Sequence, residues 1–367
     1  MKGMTKVSKW SPTPHLHSRS CTQQIMYEFT AILLIITFYS SGVFFYLYGD
    51  QEGLKVIWMV LTSIGAAVVT DTCFFLGTRQ VNNFYEGLNV IIKSYSFITA
   101  ILFALCLPIG TPLVIVALGS ALSVFLGKLV FGGLGMNPFN PALVGRAIVT
   151  ISWGSFLTTT LSNEVDAISS STPLMNLASY QGIGTYEQLV EPYGGWFGML
   201  VGTYEGAIGE TASLVIVLGG IYLMIRKIID WRIPVFYLGT VFVMTWIIGA
   251  VNGISGIWYP IFHLLSGGLL FGAMFMATDL VTSPVSRRGK ILFSLGLGLL
   301  TVIIRLLGNY PEGVFFSILF MNLMTFPIDR YFMGQMNEPM KRSEVISWLV
   351  MTSLIVFTAL MIGFILG

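Results

Sequence analysis

A short run of hydroxyl side chains is the stretch of this sequence most suited to covalent chemistry. It reads Asp-Ala-Ile-Ser-Ser-Ser-Thr-Pro-Leu and covers residues 166–174. Asp166 and Ser169 precede Thr172, and Pro173 fixes the turn that follows. The chemistry available to the Thr172 hydroxyl is acceptance of a phosphoryl group. Serine runs are usually plain loops, so the position of this run in the chain decides between the two interpretations.

The run lies within residues 157–210, the longest polar interval in an otherwise apolar sequence. This interval contains no Lys or Arg, and its six acidic residues are Glu164, Asp166, Glu187, Glu191, Glu205 and Glu210. In a membrane protein, a long loop without basic residues faces away from the cytoplasm. We therefore expect the Thr172 hydroxyl on the outer face of a membrane, exposed enough to be modified.

A second group of polar residues surrounds a break in an apolar run. Residues 132–141 read Gly-Gly-Leu-Gly-Met-Asn-Pro-Phe-Asn-Pro, and Arg146 follows shortly after. A helix that begins here offers unpaired N–H groups, which suit an anion or a polarised ring oxygen near Asn137 and Asn140. Asn-Pro turns also simply end helices, and the two interpretations are about equally supported. Arg146 favours a ligand slightly, because a guanidinium in a membrane span is costly unless it is paired.

Other polar residues in apolar surroundings have plainer interpretations. Asp279 ends an apolar run and could hold a cation, although capping the chain is the commoner role. Arg305 and Glu312 lie at the ends of consecutive spans and predict an ion pair. His263 is a lone histidine on an apolar face, which predicts a hydrogen-bonded core residue.

Composition indicates which class of protein positions these side chains. The chain has 367 residues, of which only 10% are charged, and its mean hydropathy is +0.81. Apolar blocks of about 20 residues recur along it, as expected for a polytopic membrane protein. The net charge of +2 comes from basic residues at the ends of spans, so no nucleic-acid binding is expected. The three cysteines form no C-x-x-C pair, so no metal site is expected either.

Eleven apolar spans are predicted, five before the polar interval, five after it and one at the end of the chain. They cover residues 28–48, 54–77, 89–107, 110–130, 139–156, 211–228, 233–251, 259–280, 291–308, 311–330 and 345–366. Five spans followed by five give the second set the opposite orientation, which is the geometry of an inverted repeat. The fifth and tenth spans open on breaks rich in Gly and Pro, at residues 132–141 and 308–313. Such backbone must face protein or a wet cavity.

Basic residues predict the orientation of the chain in the membrane. With the N-terminus inside, fourteen Lys and Arg residues fall in inner segments and only Lys55 falls in an outer one. The N-terminal segment has no signal-peptide pattern. The predicted division is a cytoplasmic tail at 1–27, a membrane repeat at 28–156, the outer loop at 157–210 and a second repeat at 211–330. Residues 331–367 form a cytoplasmic segment and an additional helix, which places the C-terminus outside.

Four stretches of the sequence together resemble one family of membrane proteins. They are residues 135–146 (Gly-Met-Asn-Pro-Phe-Asn-Pro-Ala-Leu-Val-Gly-Arg), 166–174, 263–279 and 310–313. They resemble the D subunit of the Rnf complex, an ion-translocating electron-transfer assembly, and are similar to the B subunit of the sodium-pumping NADH:quinone reductase. His-Leu-Leu-Ser-Gly-Gly at 263–268 and Val-Thr-Ser-Pro at 281–284 favour the Rnf member.

The resemblance implies a flavoprotein. In the family, a Ser/Thr-Gly-Ala-Thr motif carries FMN on its threonine through a phosphoester bond, and by position that threonine is Thr172. Ser170 and Ser171 stand where the family has Gly and Ala, and Ser169 and Asp166 complete the segment.

A second flavin is also implied, bound non-covalently near the broken helices, and riboflavin is a candidate for it. We interpret Asn137, Asn140 and Arg146 as its candidate ligands. Flavins carry the redox chemistry themselves, so no side chain is expected to act as a catalytic residue.

The resemblance further implies a fold, an activity and partners. The fold is that of urea transporters, with ten spans in two inverted repeats of five. The activity is electron transfer within a ferredoxin:NAD⁺ oxidoreductase that moves Na⁺ or H⁺ across the cell (inner) membrane of a bacterium or archaeon. The partners are the lipid bilayer, the A, B, C, E and G subunits of the Rnf complex, and a flavin-attaching transferase. Two alternatives stay open: the B subunit of the quinone reductase, and a flavin-free channel or carrier with the same fold.

Overall fold

The computed structural model of the protein describes residues 21–78, 93–157, 172–204, 206–308, 313–332 and 342–366. These residues form helices joined by turns, with one isolated antiparallel bridge between Pro108 and Ala207. Six helices are long and apolar enough to cross a membrane, or seven if one bent pair counts as a span. The protein is therefore an all-α polytopic membrane protein, as its composition predicts.

Five helices form the first half of the described chain. They are α1 (Thr22–Tyr48), α2 (Asp50–Gly77), α3 (Ser96–Leu105), α4 (Leu113–Gly127) and α5 (Pro141–Trp153). The sharp turn between α1 and α2 needs only Gly49, whose φ of 90° lies in the region that glycine adopts without strain. α5 begins with Pro141, because proline at the first helical position has no N–H to leave unpaired.

Short helices form the described part of the polar interval, and longer ones follow it. The short ones are α6 (Pro173–Ser179), α7 (Tyr186–Leu189) and α8 (Gly195–Val201). The second half contains α9 (Ser213–Ile225), α10 (Arg232–Val251), α11 (Trp258–Leu265), α12 (Leu269–Phe271), α13 (Arg287–Leu307), α14 (Val314–Phe332) and α15 (Arg342–Leu366). Residues Gly272–Met276 continue α12 as a π-helix.

The two halves pack in the same order, which supports the predicted five-plus-five arrangement. In the first half, α2 contacts α3 and α4, and α4 contacts α5. In the second half, α10 contacts α11 and α13, and α13 contacts α14. The halves meet where α1 contacts α9 and α5 contacts α14, and α15 lies against α10.

An interruption in the second half lies in the eighth predicted span, where α11 and the α12 segment meet at an angle of 68°. The cause is local: Gly267 and Gly268 have φ values of 71° and 65°, a left-handed conformation that ends a helix. In the first half, the third span (α3) is likewise short, so the third and eighth spans correspond. Residues 309–312 lie outside the described part of the chain.

The predicted outer loop is a packed layer in its described part, residues 172–204 and 206–210. Leu174, Leu189 and Met199 are buried there, as are Tyr204 and Ile208. Backbone N–H groups of Ile208 and Gly209 donate to the carbonyls of Leu107 and Leu105, which tie this layer to the end of α3. The polar composition of the interval predicted a solvated loop, but its scattered apolar residues are enough to cover the helices.

The inside–outside orientation can be tested with single cysteines. We expect Ser179→Cys to react with an impermeant maleimide in intact cells and Val285→Cys to react only after the cells are opened, because fourteen basic residues on the Val285 side hold it in the cytoplasm. Both positions are exposed, so access through the membrane is the only difference between them. The background replaces Cys21, Cys73 and Cys106. Labelling of Val285→Cys but not Ser179→Cys in intact cells would invert the orientation.

Candidate functional site

Thr172 caps the N-terminus of α6. Its hydroxyl oxygen accepts a hydrogen bond from the backbone N–H of Met175 at 3.3 Å, a common way to satisfy a free N–H of a first helical turn. Only 5% of the residue is exposed, so the expectation of an exposed hydroxyl is wrong for this conformation. Asp166 and Ser169, the other predicted residues of this motif, lie outside the described residues.

The break at residues 266–268 lies against Leu174, two residues after Thr172. Three side chains satisfy the backbone groups that the break leaves unpaired. The Arg305 guanidinium donates to the carbonyls of His263 (2.7 Å), Ser266 (2.9 Å) and Gly267 (3.2 Å). The acceptors of these three bonds are therefore backbone carbonyls. The predicted partner Glu312 lies outside the described residues.

Glu210 and Tyr204 complete this arrangement from the polar interval. A carboxylate oxygen of Glu210 accepts from the N–H of Gly267, and the hydroxyl of Tyr204 donates to the carbonyl of Leu265 at 3.1 Å. Glu210 is only 5% exposed. Its sequence position at the end of a polar interval predicted an outer-loop carboxylate, and nothing in that pattern indicates a partner 57 residues away.

A second candidate site is a cavity of about 120 Å³ where the two halves meet. Its walls are mostly apolar and aromatic, with polar groups at one side. The lining includes Phe29, Tyr95, Lys128, Asn137, Phe275 and Asp279. An apolar cavity lined by a few polar groups is typical of a site for a small organic ligand.

The two predicted asparagines have different roles at this cavity. Asn140 caps α5: its side-chain oxygen accepts from Ala142 N–H at 3.1 Å, and its amide donates to the carbonyl of Met276 at 3.3 Å. Both asparagines are buried and line the cavity, and the Asn137 amide donates to the Phe139 carbonyl at 3.0 Å. Asn140 thus has the capping role that the sequence left open. The side-chain oxygen of Asn137 is the better placed to accept from a ligand.

A π-helical turn positions the second half's contribution to the cavity. Gly272–Met276 form this turn, closed by a hydrogen bond from the N–H of Ala277 to the carbonyl of Gly272 at 2.8 Å. π-Helical turns are rare and are often found at functional sites. Phe275 in this turn packs edge-on against Phe29 with 5.7 Å between ring centroids, so aromatic surfaces from both halves meet at the cavity wall.

Lys128 is a candidate residue that sequence reasoning missed. It ends α4, is 2% exposed and lines the cavity. Its ammonium donates to the Ser94 carbonyl and, at 3.0 Å, to the Ser96 hydroxyl. Both serine hydroxyls in turn donate to the buried carboxylate of Asp71, at 2.5 and 3.1 Å. The only signal in the sequence is that this lysine lies inside an apolar span. A count of basic residues at the ends of spans leaves such a lysine out.

The remaining predicted residues lie apart or have structural partners. The Arg146 guanidinium is buried and packs over the Phe315 ring, 5.2 Å from its centroid, and it is not among the residues that line the cavity. Asp279 accepts from Val281 N–H (3.4 Å) and the Thr282 hydroxyl (3.2 Å), so it caps the chain that follows it, the commoner role of such a residue. His263 is buried as predicted. Neither of its ring nitrogens has a hydrogen-bond partner among the described residues, so the predicted hydrogen bond is wrong there.

An ion-pair cluster holds the turn that closes the cavity at Ile228 and Ile229. Asp230 follows directly, and it accepts from Lys290 at 2.9 Å and from Arg232 at 3.1 Å. Partial burial acts to raise the pKa of Asp230, but hydrogen bonds and charge from Lys290 and Arg232 outweigh it and hold the pKa below its ordinary value. A lowered pKa means that the contact stabilises the fold at neutral pH and that this stability is lost as the pH falls through that pKa.

Comparison with known proteins gives one consistent family. The sequence model of the NQR2, RnfD, RnfE family matches residues 9–337. The chain is 40% identical over 329 residues to the D subunit of the proton-translocating ferredoxin:NAD(+) oxidoreductase complex of Clostridium ljungdahlii, an alignment that covers 88% of this chain and 93% of that protein. It is 34% identical over 323 residues to the D subunit of the Na(+)-translocating ferredoxin:NAD(+) oxidoreductase complex of Acetobacterium woodii, covering 88% and 92%.

A second group of relatives is matched over less of its length. The chain is 34% identical over 302 residues to the B subunit of the Na(+)-translocating NADH-quinone reductase of Chromohalobacter salexigens. This alignment covers 78% of the chain and 72% of that protein.

The buried network around Lys128 gives a stability prediction. We expect Asp71→Asn to lower the free energy of unfolding by about 3 kcal/mol, because it leaves the buried ammonium without its counter-charge. Adding Lys128→Met should recover much of that loss, since the unpaired charge is then gone. The measurement is the midpoint of thermal unfolding in detergent. Asp50→Asn, at an exposed position at the start of the same helix, should change the midpoint little. Equal midpoints for Asp71→Asn and Asp50→Asn would contradict the network's role.

Proposed function

Because this chain belongs to the NQR2, RnfD, RnfE family, we propose that it is the D subunit of an Rnf-type ferredoxin:NAD⁺ oxidoreductase that moves Na⁺ or H⁺ across the membrane. Its relatives are subunits of ion-translocating oxidoreductase complexes. The observation that carries the choice of the D subunit is length: the two Rnf relatives are matched over 93% and 92% of their chains, and the reductase relative over 72%. The B subunit of the quinone reductase is the second candidate.

We propose that Thr172 carries FMN through a phosphoester bond. The type of residue fits, since a hydroxyl is required, and so does its hydrogen bonding. Thr172 uses its side-chain oxygen as an acceptor towards Met175 N–H. An ester oxygen retains lone pairs, so attachment is compatible with the cap. The lack of Lys and Arg in residues 157–210 supports an outer location for this group.

The cavity between the two halves is proposed to hold part of a second, non-covalent flavin, because its volume of about 120 Å³ is smaller than the roughly 300–1,000 Å³ of a site that encloses a whole ligand. Aromatic and apolar walls from Phe29, Tyr95 and Phe275 suit the faces of a flat ring system, and Asn137 and Lys128 can bond its polar edge. When bound, such a flavin supplies one-electron chemistry. The chain supplies burial, position and hydrogen bonds.

One segment of the chain lies close to both proposed sites. Gly267 approaches Leu174, two residues after Thr172, and Phe275, Thr278 and Asp279 of the same segment line the cavity. Eight residues separate Gly267 from Phe275, from the left-handed break to the π-helical turn. The bent eighth span therefore fixes the geometry of one proposed flavin site relative to the other.

The proposed setting is a bacterial cell membrane, where the chain assembles with the A, B, C, E and G subunits of the Rnf complex. The proposed arrangement places the Thr172 layer on the outer face and the N-terminus in the cytoplasm. A flavin-attaching transferase is the further partner that modification of Thr172 requires. A carrier of the same fold would need neither flavin, so flavin content separates the two classes of function.

Covalent attachment is tested on a denaturing gel. We expect the wild-type band, purified from its native host, to fluoresce as a flavin, because a phosphoester survives denaturation. Thr172→Ala should abolish the signal, since the attaching oxygen is gone. Thr185→Ala is the matched control: it removes another threonine that precedes a short helix in the same interval, and its band should stay fluorescent. A dark wild-type band, or a fluorescent Thr172→Ala band, would refute the attachment.

The non-covalent site is tested by comparing the two asparagines. We expect Asn137→Leu to lower acid-extractable flavin per folded protein chain by about fivefold to a hundredfold, because a lost buried hydrogen bond costs about 1–3 kcal/mol. The covalent flavin should remain.

Asn140→Leu is the comparison variant for this test: Asn140 also lines the cavity, but both of its polar side-chain atoms already bond the chain. It removes the cap of α5 and the bond to the Met276 carbonyl, so we expect a lower yield of folded protein. An unchanged flavin ratio and an unchanged electron-transfer rate in Asn137→Leu would end the cofactor role of this cavity.

A further inference from the structure

Gly267 leaves a notch that one side chain of the polar interval fills. A Cβ atom at Gly267 would lie 2.0 Å from Leu174 Cδ1 and 2.8 Å from Arg305 Nη2. Such distances do not occur between real atoms, so the close approach of Leu174 requires glycine at this position. Leu174 is 2% exposed and lies two residues after Thr172. The side chain therefore anchors the start of α6 on the break of the eighth span.

The floor of the notch is held from three directions. Arg305 reaches it from α13 and bonds three carbonyls, Glu210 bonds the Gly267 N–H, and Tyr204 bonds the Leu265 carbonyl. Arg305 comes from α13, and Glu210 and Tyr204 both come from the polar interval. Backbone groups bonded in this way have few alternative conformations, so the notch is a fixed reference point.

A second contact leads from α6 to the same helix pair. The hydroxyl of Tyr259 in α11 donates to the carbonyl of Gly182 at 2.7 Å, just after the end of α6. Leu177, one turn after Leu174 on α6, is also buried at 2% exposure. α6 is thus held at its first turn by the notch and near its end by Tyr259.

We propose that the Gly267 notch is a docking seat for the flavin-bearing segment, with Leu174 as the docked side chain and Gly267, Glu210 and Arg305 as positioning residues. None of them is proposed to touch the flavin. They fix where Thr172 lies relative to the eighth span, and hence relative to the cavity that Phe275 and Asp279 line. This inference rests on the proposed attachment of FMN at Thr172 for its functional meaning only. The docking itself concerns the chain alone.

The chain offers a matched pair of glycines for the test. Gly267 and Gly268 have nearly the same φ, 71° and 65°, so alanine is similarly strained at both. They differ in space: a Cβ at Gly268 would meet no atom within 4 Å. Gly267→Ala therefore adds a clash with the docked Leu174 and a tight contact with Arg305 Nη2, and Gly268→Ala adds only the backbone strain.

The experiment measures hydrogen exchange of peptides covering α6 in the purified full-length protein. We expect exchange in α6 to become faster by on the order of tenfold or more in Gly267→Ala and in Leu174→Ala, which undock the segment by adding a clash or by removing the anchor. Gly268→Ala should keep α6 close to wild type. Leu174→Ala keeps the test decisive if Gly267→Ala yields no folded protein.

A double variant adds a test of the contact itself. In Gly267→Ala/Leu174→Ala the new methyl group no longer meets the Leu174 side chain, but it still lies 2.8 Å from Arg305 Nη2. We expect α6 exchange no faster than that of Leu174→Ala alone, which assigns the effect of Gly267→Ala to the Leu174 contact. A further increase in the double variant would assign that effect to Arg305 and would count against the Leu174 contact. Equal α6 exchange in Gly267→Ala and Gly268→Ala, or wild-type exchange in Leu174→Ala, would overturn the proposal.

The flavin on the same samples gives a separate functional result. Fluorescence anisotropy of the covalent flavin should fall in Gly267→Ala and Leu174→Ala but not in Gly268→Ala, while in-gel flavin content stays equal in all of them. A dark wild-type band would refute attachment at Thr172 and would leave the exchange result to decide on docking. Equal anisotropy in Gly267→Ala and Gly268→Ala, in fluorescent protein, would overturn the positioning role.

Discussion

The rest of the structure depends on how it satisfies the backbone groups of one interrupted membrane span. A break at membrane depth leaves carbonyls and N–H groups that lipid cannot bond. At residues 266–268 a guanidinium from α13 provides some of the bonds, and a carboxylate and a phenol from the polar interval provide the others. Two segments distant in sequence, α13 and the polar interval, must therefore come together at the eighth span before it can adopt its bend. That requirement explains why residues 172–210 form a packed layer and not a solvated loop in their described part: two of the three partners belong to it.

Hydropathy alone predicted much of the architecture. Each of the eleven predicted spans contains a helix, and the order of packing agrees with two sets of five. The break at Gly267 and Gly268 could not be predicted, because its left-handed φ values and the partners that satisfy it depend on tertiary structure. The motif singled out Thr172 but predicted an exposed hydroxyl, since the burial of this residue depends on a notch far along the chain.

Charged residues show the same division between what local sequence can and cannot predict. Lysines and arginines at span ends follow a statistical rule and predicted an orientation. Lys128 obeys no such rule: in the interior its ammonium lies near the carboxylate of Asp71, bridged by Ser94 and Ser96. The hydrogen bonds made by Asp71 and Lys128 join residues 23 to 34 positions apart in the chain, so no spacing pattern connects them. The capping role of Asn140, in contrast, could be predicted from local sequence, because an Asn-Pro dipeptide is typical of the start of a helix.

Because Gly272–Met276 form a π-helical turn, the cavity depends on the number of residues in this segment as well as on their side chains. A π-helical turn accommodates one more residue per turn than an α-helix does. A chain shortened by one residue within this turn could continue as an ordinary helix, but everything after it would rotate by about 100° around the axis. Thr278 and Asp279 would then leave the cavity wall while Leu269 and Leu270 stayed in place. In this segment, an insertion or deletion of one residue changes the lining of the cavity more than most substitutions of single residues in the segment do.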